Sequence, residues 1–153
     1  MRGIWQQPVN RCSAMAETAL WGLLEEFLVG EQDSKSAEVA AGVKDGVFTV
    51  LQVVESLGSC LANPEPRMRG KGVQLLSQVL LECYSQITEK EVEVLVVFYE
   101  NRLKDHHLIT PYVLQGLMAL SMCNVLPQGL AVSVLKSIFQ EVHVQVRNHS
   151  LSF

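Results

Sequence analysis

Asp105, His106 and His107 form the densest group of possible metal ligands in the 153-residue sequence. A metal site on one helix needs ligands about four residues apart, because residues at that spacing share a face. Adjacent histidines on a helix point about 100° apart and cannot bind one ion together. The two histidines instead suit the C-terminal end of a helix, where partial positive charge is favourable. We therefore predict no metal site here.

The cysteines Cys12, Cys60, Cys83 and Cys123 are a second possible ligand set. Their spacings of 48, 23 and 40 residues match no iron–sulfur pattern. Three of them lie within apolar helical patterns, which predicts buried, reduced thiols in an intracellular protein. The sequence also lacks the Gly-x-Ser-x-Gly, Walker and dinucleotide-binding motifs. We therefore expect neither a cofactor nor an enzyme active site.

The composition is that of a folded domain with little average attraction to polyanions. Apolar residues make up 48% and charged residues 18% of the chain, which excludes a disordered polypeptide. The net charge of −4 argues against electrostatic binding of nucleic acid or anionic lipid by the chain as a whole. The longest unbroken apolar run, 94–99, is far shorter than the roughly 20 residues of a membrane-spanning helix. The first residues also lack the apolar core of a secretory signal.

Basic side chains nevertheless concentrate in two segments that repeated helices would bring to one edge. This basic strip comprises Arg67, Arg69, Lys71, Arg102 and Lys104. One interpretation is turn chemistry, in which an arginine that follows a corner pairs with a neighbouring carboxylate. The other is contact with nucleic acid, although no aromatic residues are interleaved to stack on bases.

The last predicted helix, which opens at Pro127, carries a second candidate surface. Its apolar residues recur at helical spacing, and no helix follows to pair with them. This apolar stripe comprises Leu130, Val134, Leu135, Ile138, Phe139 and Val142. Because an array of helices needs a covered end, we expect the stripe to be partly exposed and to promote self-association.

The elements that position these residues are helices arranged in a repeat. Predicted first helices start near 47, 89 and 128, and second helices near 66 and 110, so the period is 39 to 44 residues. This period is typical of HEAT and armadillo solenoids. We predict an all-α, HEAT-like solenoid fragment of antiparallel helix pairs, with about seven helices. The parts are a disordered lead-in at 1–14, a helical cap from 15, pairs at 47–84 and 89–122, an unpaired helix at 128–143 and an irregular tail at 146–153.

Local signals refine the helix positions. Thr88 and Glu91 form a capping box, so the β-branched run 92–99 is predicted to be an interior helix rather than a strand. Pro66 suits the first position of a helix, and Thr110 suits the capping position before Pro111. Gly70 and Gly72, early in the second helix of the first pair, suggest close approach of a neighbouring helix.

Several strings of residues resemble the N-terminal part of one family, the methyl-methanesulfonate-sensitivity family of HEAT-repeat repair and transcription proteins. The likeness covers residues 15–145 in one register. The strings lie at 20–23, 49–58, 63–67, 98–108, 113–117 and 129–136. Residues 1–14 and 146–153 depart from the family pattern, so the chain resembles a truncated N-terminal portion.

The resemblance implies a non-enzymatic adaptor of the cytosolic iron–sulfur assembly targeting complex. The expected partners are the targeting factors and client apoproteins such as DNA helicases and polymerases. The expected locations are the nucleus, the cytoplasm and the spindle, with links to nucleotide excision repair, transcription and chromosome segregation. The alternative from the residues alone is a small helical module that binds nucleic acid or other proteins.

Overall fold

The computed structural model describes residues 11–30 and 34–150, with side chains described for 14–30 and 34–141. These residues form α-helices, one short 3-10 helix at Tyr84–Gln86 and no strand. None of the described helices is long and apolar enough to cross a membrane. The α-helices are α1 (Arg11–Val29), α2 (Ser34–Lys44), α3 (Val50–Ser56), α4 (Gly58–Leu61), α5 (Pro66–Cys83), α6 (Glu89–Arg102), α7 (Thr110–Ser121) and α8 (Gln128–Ser150).

The helices form hairpins whose members lie in two layers. One layer contains α1, α3–α4, α6 and α8, and the other contains α2, α5 and α7. Within the second layer α5 packs against both α2 and α7. The predicted all-α, solenoid-like architecture is confirmed. The segment predicted as a helical cap, α1 and α2, packs as a further hairpin.

The helix predicted to start near Val47 begins at Val50 and is interrupted at Leu57. Thr49 caps it, because the Gln52 amide donates to Thr49 Oγ1 at 3.2 Å and the Thr49 amide donates to Gln52 Oε1 at 2.8 Å. Gly58, a poor helix former, follows the interruption. When α3 and α4 are counted as one interrupted helix, the number of described helices is seven, as predicted.

The structure corrects both predicted ends. Helix α1 begins at Arg11, so the lead-in does not extend to residue 14; residues 1–10 lie outside the described residues. Helix α8 continues to Ser150, so the tail is not irregular from 146; residues 151–153 lie outside the described part of the chain. In both places the helical hydrogen bonds extend past the regular apolar period on which the prediction relied.

The capping predictions succeed for two helices and fail for one. Pro66 occupies the first turn of α5, and the Thr88–Glu91 capping box begins α6. The predicted cap at Thr110 is wrong: Ile109 is the N-cap of α7, and Thr110, only 8% exposed, is already helical. The described helix α6 rules out a strand over 92–99.

Helix α6 is less enclosed than its sequence predicts. Val92, Leu95, Val96 and Tyr99 are buried, but Val94 and Val97 are 44% and 56% exposed. Neighbouring helices therefore cover one face of α6, and its other face is open to solvent.

Tyr99 joins three helices at the centre of the array. Its hydroxyl lies 2.9 Å from Ser77 Oγ of α5, which in turn donates to the Tyr112 carbonyl of α7 at 2.7 Å. Gly116 makes room for the ring: a Cβ there would lie 2.2 Å from two ring carbons. Burial raises the pKa of Tyr99, so its hydroxyl remains neutral. Because Ser77 gives its one hydroxyl hydrogen to the Tyr112 carbonyl, the Tyr99 hydroxyl is the donor to Ser77 Oγ.

Close packing of a neighbouring helix explains Gly72, one of the two glycines near the start of α5. A Cβ at this position would lie 3.1 Å from Cys60 Sγ and from Leu61 Cδ2. The predicted close approach is therefore confirmed at Gly72, where α4 packs on α5.

Candidate functional site

The three corners within the hairpins lie along one side of the array, which we call the corner edge. It comprises residues 28–30 at the end of α1, 61–65 from the last residue of α4 to the residue before α5, and 103–109 between α6 and α7. The basic strip projects onto this edge, because α5 begins and α6 ends there.

Asp105 receives hydrogen bonds from two arginines. Arg69 Nε and Nη2 donate to its two carboxylate oxygens at 3.1 and 2.8 Å, and Arg102 Nη1 donates to Oδ2 at 2.8 Å. The His106 backbone amide adds a bond of 2.6 Å to Oδ1. The Arg69 guanidinium, with these other donors, holds the pKa of Asp105 well below its usual range despite partial burial.

The same arginines also bind carbonyl groups of the preceding corner. Arg69 Nη1 donates to the carbonyls of Asn63 and Pro64 at 2.8 and 3.0 Å. Arg102 Nη2 donates to the Leu61 carbonyl at 2.8 Å. Helix ends and corners leave carbonyl groups without backbone partners, and these donors satisfy three of them. The corners after α4 and α6 are thereby fixed to each other.

Lys71 extends this arrangement to the first hairpin. Its Nζ donates to the Leu28 carbonyl near the end of α1 at 3.0 Å. Charged hydrogen bonds thus run across all three corners. The bonds of Lys71 to Leu28, of Arg102 to Leu61 and of Arg69 to Asp105 join adjacent hairpins, so the corner edge helps to set how the hairpins stack.

The turn-chemistry interpretation, in which an arginine pairs with a neighbouring carboxylate, therefore accounts for Arg69 and Arg102, whereas Lys71 binds a backbone carbonyl. Arg67 and Lys104 are exposed, and no carboxylate of the described residues lies within 4 Å of either nitrogen group. Arg67 and Lys104 are therefore the side chains of the basic strip that remain available to contact a partner. Partner binding by the strip stays a prediction.

From the sequence Asp105 was predicted only as a possible metal ligand, and its role as the shared acceptor of the corner edge was not predicted. The detectable signal was local: Arg102 precedes Asp105 by three residues, a spacing at which opposite charges meet. Arg69 lies 36 residues away, and only the repeat brings it to the same carboxylate.

His106 and His107 lie in the turn after α6, not on a helix. The prediction that they point apart is wrong, since their ring centroids are 4.2 Å apart and the rings are tilted by 32°. His106 Nδ1 accepts a hydrogen bond from the Leu108 amide at 3.3 Å. Across the described residues no three His, Cys, Asp or Glu side chains converge on a possible metal position.

The described cysteines are buried thiols. Cys60, Cys83 and Cys123 are free, and burial raises the pKa of Cys83 to about 12. Burial likewise raises the pKa of Cys60 and Cys123. The prediction of buried thiols is confirmed for these three; the Cys12 side chain lies outside the described residues.

The apolar stripe of α8 divides into two sides. Val134 is 8% exposed, and Leu130 and Ile138 pack against the core. Leu135 and Phe139 are 55% and 73% exposed. The side chain of the sixth stripe residue, Val142, lies outside the described set. The predicted partial exposure is therefore confirmed for Leu135 and Phe139.

Polar contacts also hold α8 against α6. The hydroxyls of Ser133 and Ser137 both donate to Glu100 Oε1, at 3.0 and 3.3 Å. These bonds fix the rotation of α8, so that Val134 faces inward and Phe139 faces outward.

A shallow, open depression lies at the end of α6. Its volume is about 510 Å³, and the Arg102 guanidinium lies 5.5 Å from the centroid of the Phe98 ring at its wall. Its other lining residues are Asn101, Lys104 and Asp105. Because Arg102 and Asp105 pair with each other, the charge in this lining without an ion-pair partner among the described residues is that of Lys104.

Stacked hairpins with internally bonded corners define a helical-repeat protein of the HEAT-like class. A family model described as "Dos2-interacting transcription regulator of RNA-Pol-II" matches residues 54–150, and the chain belongs to this family, the MMS19 N-terminal family. The predicted resemblance is confirmed.

Curated relatives give the same result. The chain is 91% identical over 132 residues to the MMS19 nucleotide excision repair protein homolog of Xenopus laevis, covering 86% of this chain and 13% of that protein. It is 67% identical over 127 residues to the human MMS19 nucleotide excision repair protein homolog, covering 83% of this chain and 12% of that protein. The MMS19 nucleotide excision repair protein of Drosophila melanogaster is 29% identical over 130 residues, which cover 83% of this chain and 14% of that protein. The chain thus spans about an eighth of the length of these relatives.

Proposed function

We propose that this chain serves as the N-terminal portion of an adaptor that brings apoprotein clients to the cytosolic iron–sulfur assembly targeting factors. The clients are genome-maintenance enzymes such as DNA helicases and polymerases. Through them the chain acts in nucleotide excision repair and transcription, in the nucleus and the cytoplasm and at the spindle. The chain supplies binding surface and no catalytic group.

The family match is the observation that carries this proposal. The most similar relatives cited above are named for nucleotide excision repair, and the family description names transcription by RNA polymerase II. A stacked array of hairpins suits an adaptor, because it exposes long helical faces on which large partners bind.

The physical mechanism is effective concentration. An adaptor that holds a client and a delivery factor together makes the encounter between them intramolecular, which raises its rate without a chemical step on the adaptor. The rigid corner edge supports this role, because fixed spacing between hairpins keeps bound partners at a constant separation.

The test is a pull-down of a purified iron–sulfur helicase and of the targeting factors with the immobilised chain. We expect retention of the helicase that is lost on replacing exposed side chains of the candidate surfaces, Arg67→Glu with Lys104→Glu or Leu135→Asp with Phe139→Asp. Met15→Asp, at a 79% exposed position of α1, is the matched control. Absence of the helicase at micromolar concentrations of the native chain would contradict the proposal.

The same variants test the alternative of nucleic-acid binding. Arg67 and Lys104 are the exposed members of the basic strip, so Arg67→Glu with Lys104→Glu removes that candidate surface and leaves the corner edge intact. Binding of duplex DNA that weakens steeply with salt and disappears in this double variant would favour the alternative. DNA binding that is equally weak in the native chain and in the variant favours the adaptor.

A further inference from the structure

Helix α7 turns one apolar side away from the helices that pack against it. Tyr112 faces α5, because a Cβ on Gly70 would lie 3.8 Å from its ring. Leu114 and Met118 lie about 160° and 120° around the helix from Tyr112. Leu114 is half-buried, and Met118 is 54% exposed. These two side chains therefore point away from α5, toward the end of the array.

Helix α8 is oriented in the same way. The hydroxyls of Ser133 and Ser137 bind Glu100 of α6, so this side of α8 faces α6. Leu135 and Phe139 each lie about 160° around the helix from Ser137, and both are exposed. Because α8 also packs against α7, the apolar sides of the two helices lie next to each other. We call Leu114, Met118, Leu135 and Phe139 the end face.

The end face lies in a segment without charge. Residues 108–135 include all of α7 and the first two turns of α8, and they contain no Asp, Glu, Lys, Arg or His. The next charged residue, exposed Lys136, lies about 60° around α8 from Phe139, and Glu141 lies about 160° from it. Centres of protein interfaces are depleted of charge and enriched in Met and aromatic residues. The end face has this composition, with Lys136 at its border.

The end face continues an interface that already exists within the chain. Inside the array, apolar sides of one hairpin pack on apolar sides of the next, as α5 does on α7. The end face offers the same kind of side from both layers, through α7 and through α8. The occupant that fits it is therefore another pair of helices.

Charge decides which pair of helices fits. The hairpin at the opposite end of the array carries exposed Glu17, Glu25 and Glu26 on α1. Lys35 of α2 is shared by Glu26 and Glu38. Stacking this hairpin on the end face would take carboxylates out of water against a surface that offers them no partner, which is costly. The end face of a second copy brings no carboxylate, and an uncharged patch meets itself across a twofold axis without like-charge repulsion.

We infer that two copies of this chain bind each other through their end faces and form a closed, twofold-symmetric dimer. Helices α7 and α8 of one copy pack on α7 and α8 of the other. Met118, Leu135 and Phe139 lie at the centre of the interface. Because pairing occupies the end face of both copies, association stops at two. The dimer goes beyond the proposed function and does not depend on it.

The experiment is size-exclusion chromatography with light scattering on the full chain and on two charged variants. We expect the native chain to reach the mass of two copies as its concentration rises. One variant combines Met118→Lys with Leu135→Lys, and the other combines Met118→Glu with Leu135→Glu. Each variant alone should dimerise at least tenfold more weakly than the native chain, because like charges then meet across the twofold axis.

Mixing the two variants tests the symmetry. An equimolar mixture should recover the mass of two copies, since lysines of one chain then face glutamates of the other. In a head-to-tail stack the substituted end faces would never meet, so the mixture would stay dissociated. A mixture that stays monomeric while the native chain associates overturns the twofold dimer.

A matched control places lysines at the opposite end of the array. Met15→Lys with Val29→Lys changes two exposed apolar residues of α1 and should leave the dimer intact. Loss of association in this variant, or a native mass that rises beyond two copies, would indicate head-to-tail stacking and overturn the inference. A native chain that stays monomeric at high concentration assigns the end face to another occupant, which also overturns it.

The substituted positions are exposed or half-exposed, and circular dichroism checks that the variants are folded. If either charged variant fails to fold, the pair Phe139→Lys and Phe139→Glu replaces it, because Phe139 is the most exposed member of the end face. The same three results are expected of this pair: native dimer, weakened association of each variant alone, and recovery on mixing.

Discussion

The hairpins of α4–α5 and α6–α7 differ from α8 in how much of an amphipathic helix finds a partner. In α5 residues on several sides are buried, because α4, α2 and α7 all pack against it. In α8 only the side toward α6 and α7 is covered, and Phe139 remains 73% exposed. The apolar periodicity of a helix therefore determines which of its residues can be buried. The number of neighbouring helices determines how many of those residues are buried.

The polar contacts differ in the same direction. The corner between α6 and α7 is held by a carboxylate bonded to two guanidinium groups, whereas α8 is held by two serine hydroxyls on Glu100. Each guanidinium bond to Asp105 joins two opposite charges, whereas the serine hydroxyls bring no charge of their own to the Glu100 carboxylate, so the bonds at the corner should be the stronger set. The following predictions test whether the inner hairpins and α8 differ in stability as these contacts indicate.

The largest effect is expected at the contact between α6 and α7. Gly116→Ala places a methyl group against the Tyr99 ring and should lower the free energy of unfolding by about 1–3 kcal/mol, since overpacked cores must distort. Urea denaturation, monitored by circular dichroism, measures this change in the free energy of unfolding.

Gly22→Ala is the matched control for this substitution. A Cβ at Gly22 of α1 meets nothing within 4 Å, so the substitution should stabilise the chain by about 0.4–1 kcal/mol. Equal stability changes at Gly116 and Gly22 would show that Tyr99 does not fill the space beside α7.

The second-largest loss in the free energy of unfolding is expected at the corner edge. Asp105→Ala leaves the guanidinium groups of Arg69 and Arg102 without their shared acceptor, and should cost about 1–3 kcal/mol in free energy of unfolding. Asp45→Ala, at an exposed turn, should change it by less than about 0.5 kcal/mol. A loss at Asp105 no larger than that at Asp45 would mean that the corner edge adds nothing to the stacking of hairpins.

Acid should weaken the corner edge specifically. The pKa of Asp105 is lower in the folded chain than the value of about 3.9 in the unfolded chain. Its contribution is complete above the unfolded pKa and is lost as the pH falls toward the folded pKa, because the unfolded state takes up the proton first. The native chain should therefore lose stability more steeply than Asp105→Asn between about pH 5 and pH 2.

Thermal or urea unfolding across this pH range measures the slope. A single group accounts for at most about 1.4 kcal/mol per pH unit. Parallel slopes for the native chain and the Asp105→Asn variant would remove Asp105 as the acid-sensitive group.

The smallest effects should occur on the outer side of α8. Leu135→Ala and Phe139→Ala should each change the free energy of unfolding by less than about 0.5 kcal/mol, because the side chains are exposed. Val134→Ala on the inner side should cost about 1–2 kcal/mol. Similar costs on the two sides would show that α8 is enclosed.

Light scattering tests the same outer side in another way. The native chain should self-associate as its concentration rises, and Leu135→Asp with Phe139→Asp should reduce this association. A native chain that stays monomeric at high concentration would contradict exposure of the stripe.

The fold was predictable where apolar period and caps agreed. Pro66 and the Thr88–Glu91 box placed α5 and α6 within a residue or two, because both signals act within one turn of helix. The interruption at Leu57 was not predictable, since the apolar period continues through it. At Thr110 tertiary burial outweighed the local capping preference.

The candidate site was predictable in kind but not in detail. The sequence indicated that an arginine following a corner would pair with a carboxylate, and Arg69 does so. It gave no means of choosing Asp105, because the pairing depends on how far one hairpin is shifted along the next.

The charged links of the corner edge give the array a mechanical asymmetry. Near the opposite ends of α2 and α5, the ion pair between neighbouring hairpins is Lys44 with Glu82 at 3.8 Å, longer than the 2.8 Å contact of Arg69 with Asp105. A load that bends the array should therefore open the weaker side first, while the corners keep their spacing. The array should therefore bend by separating the hairpins on the side opposite the corner edge. Its curvature could then change around a partner while the order of the hairpins is kept.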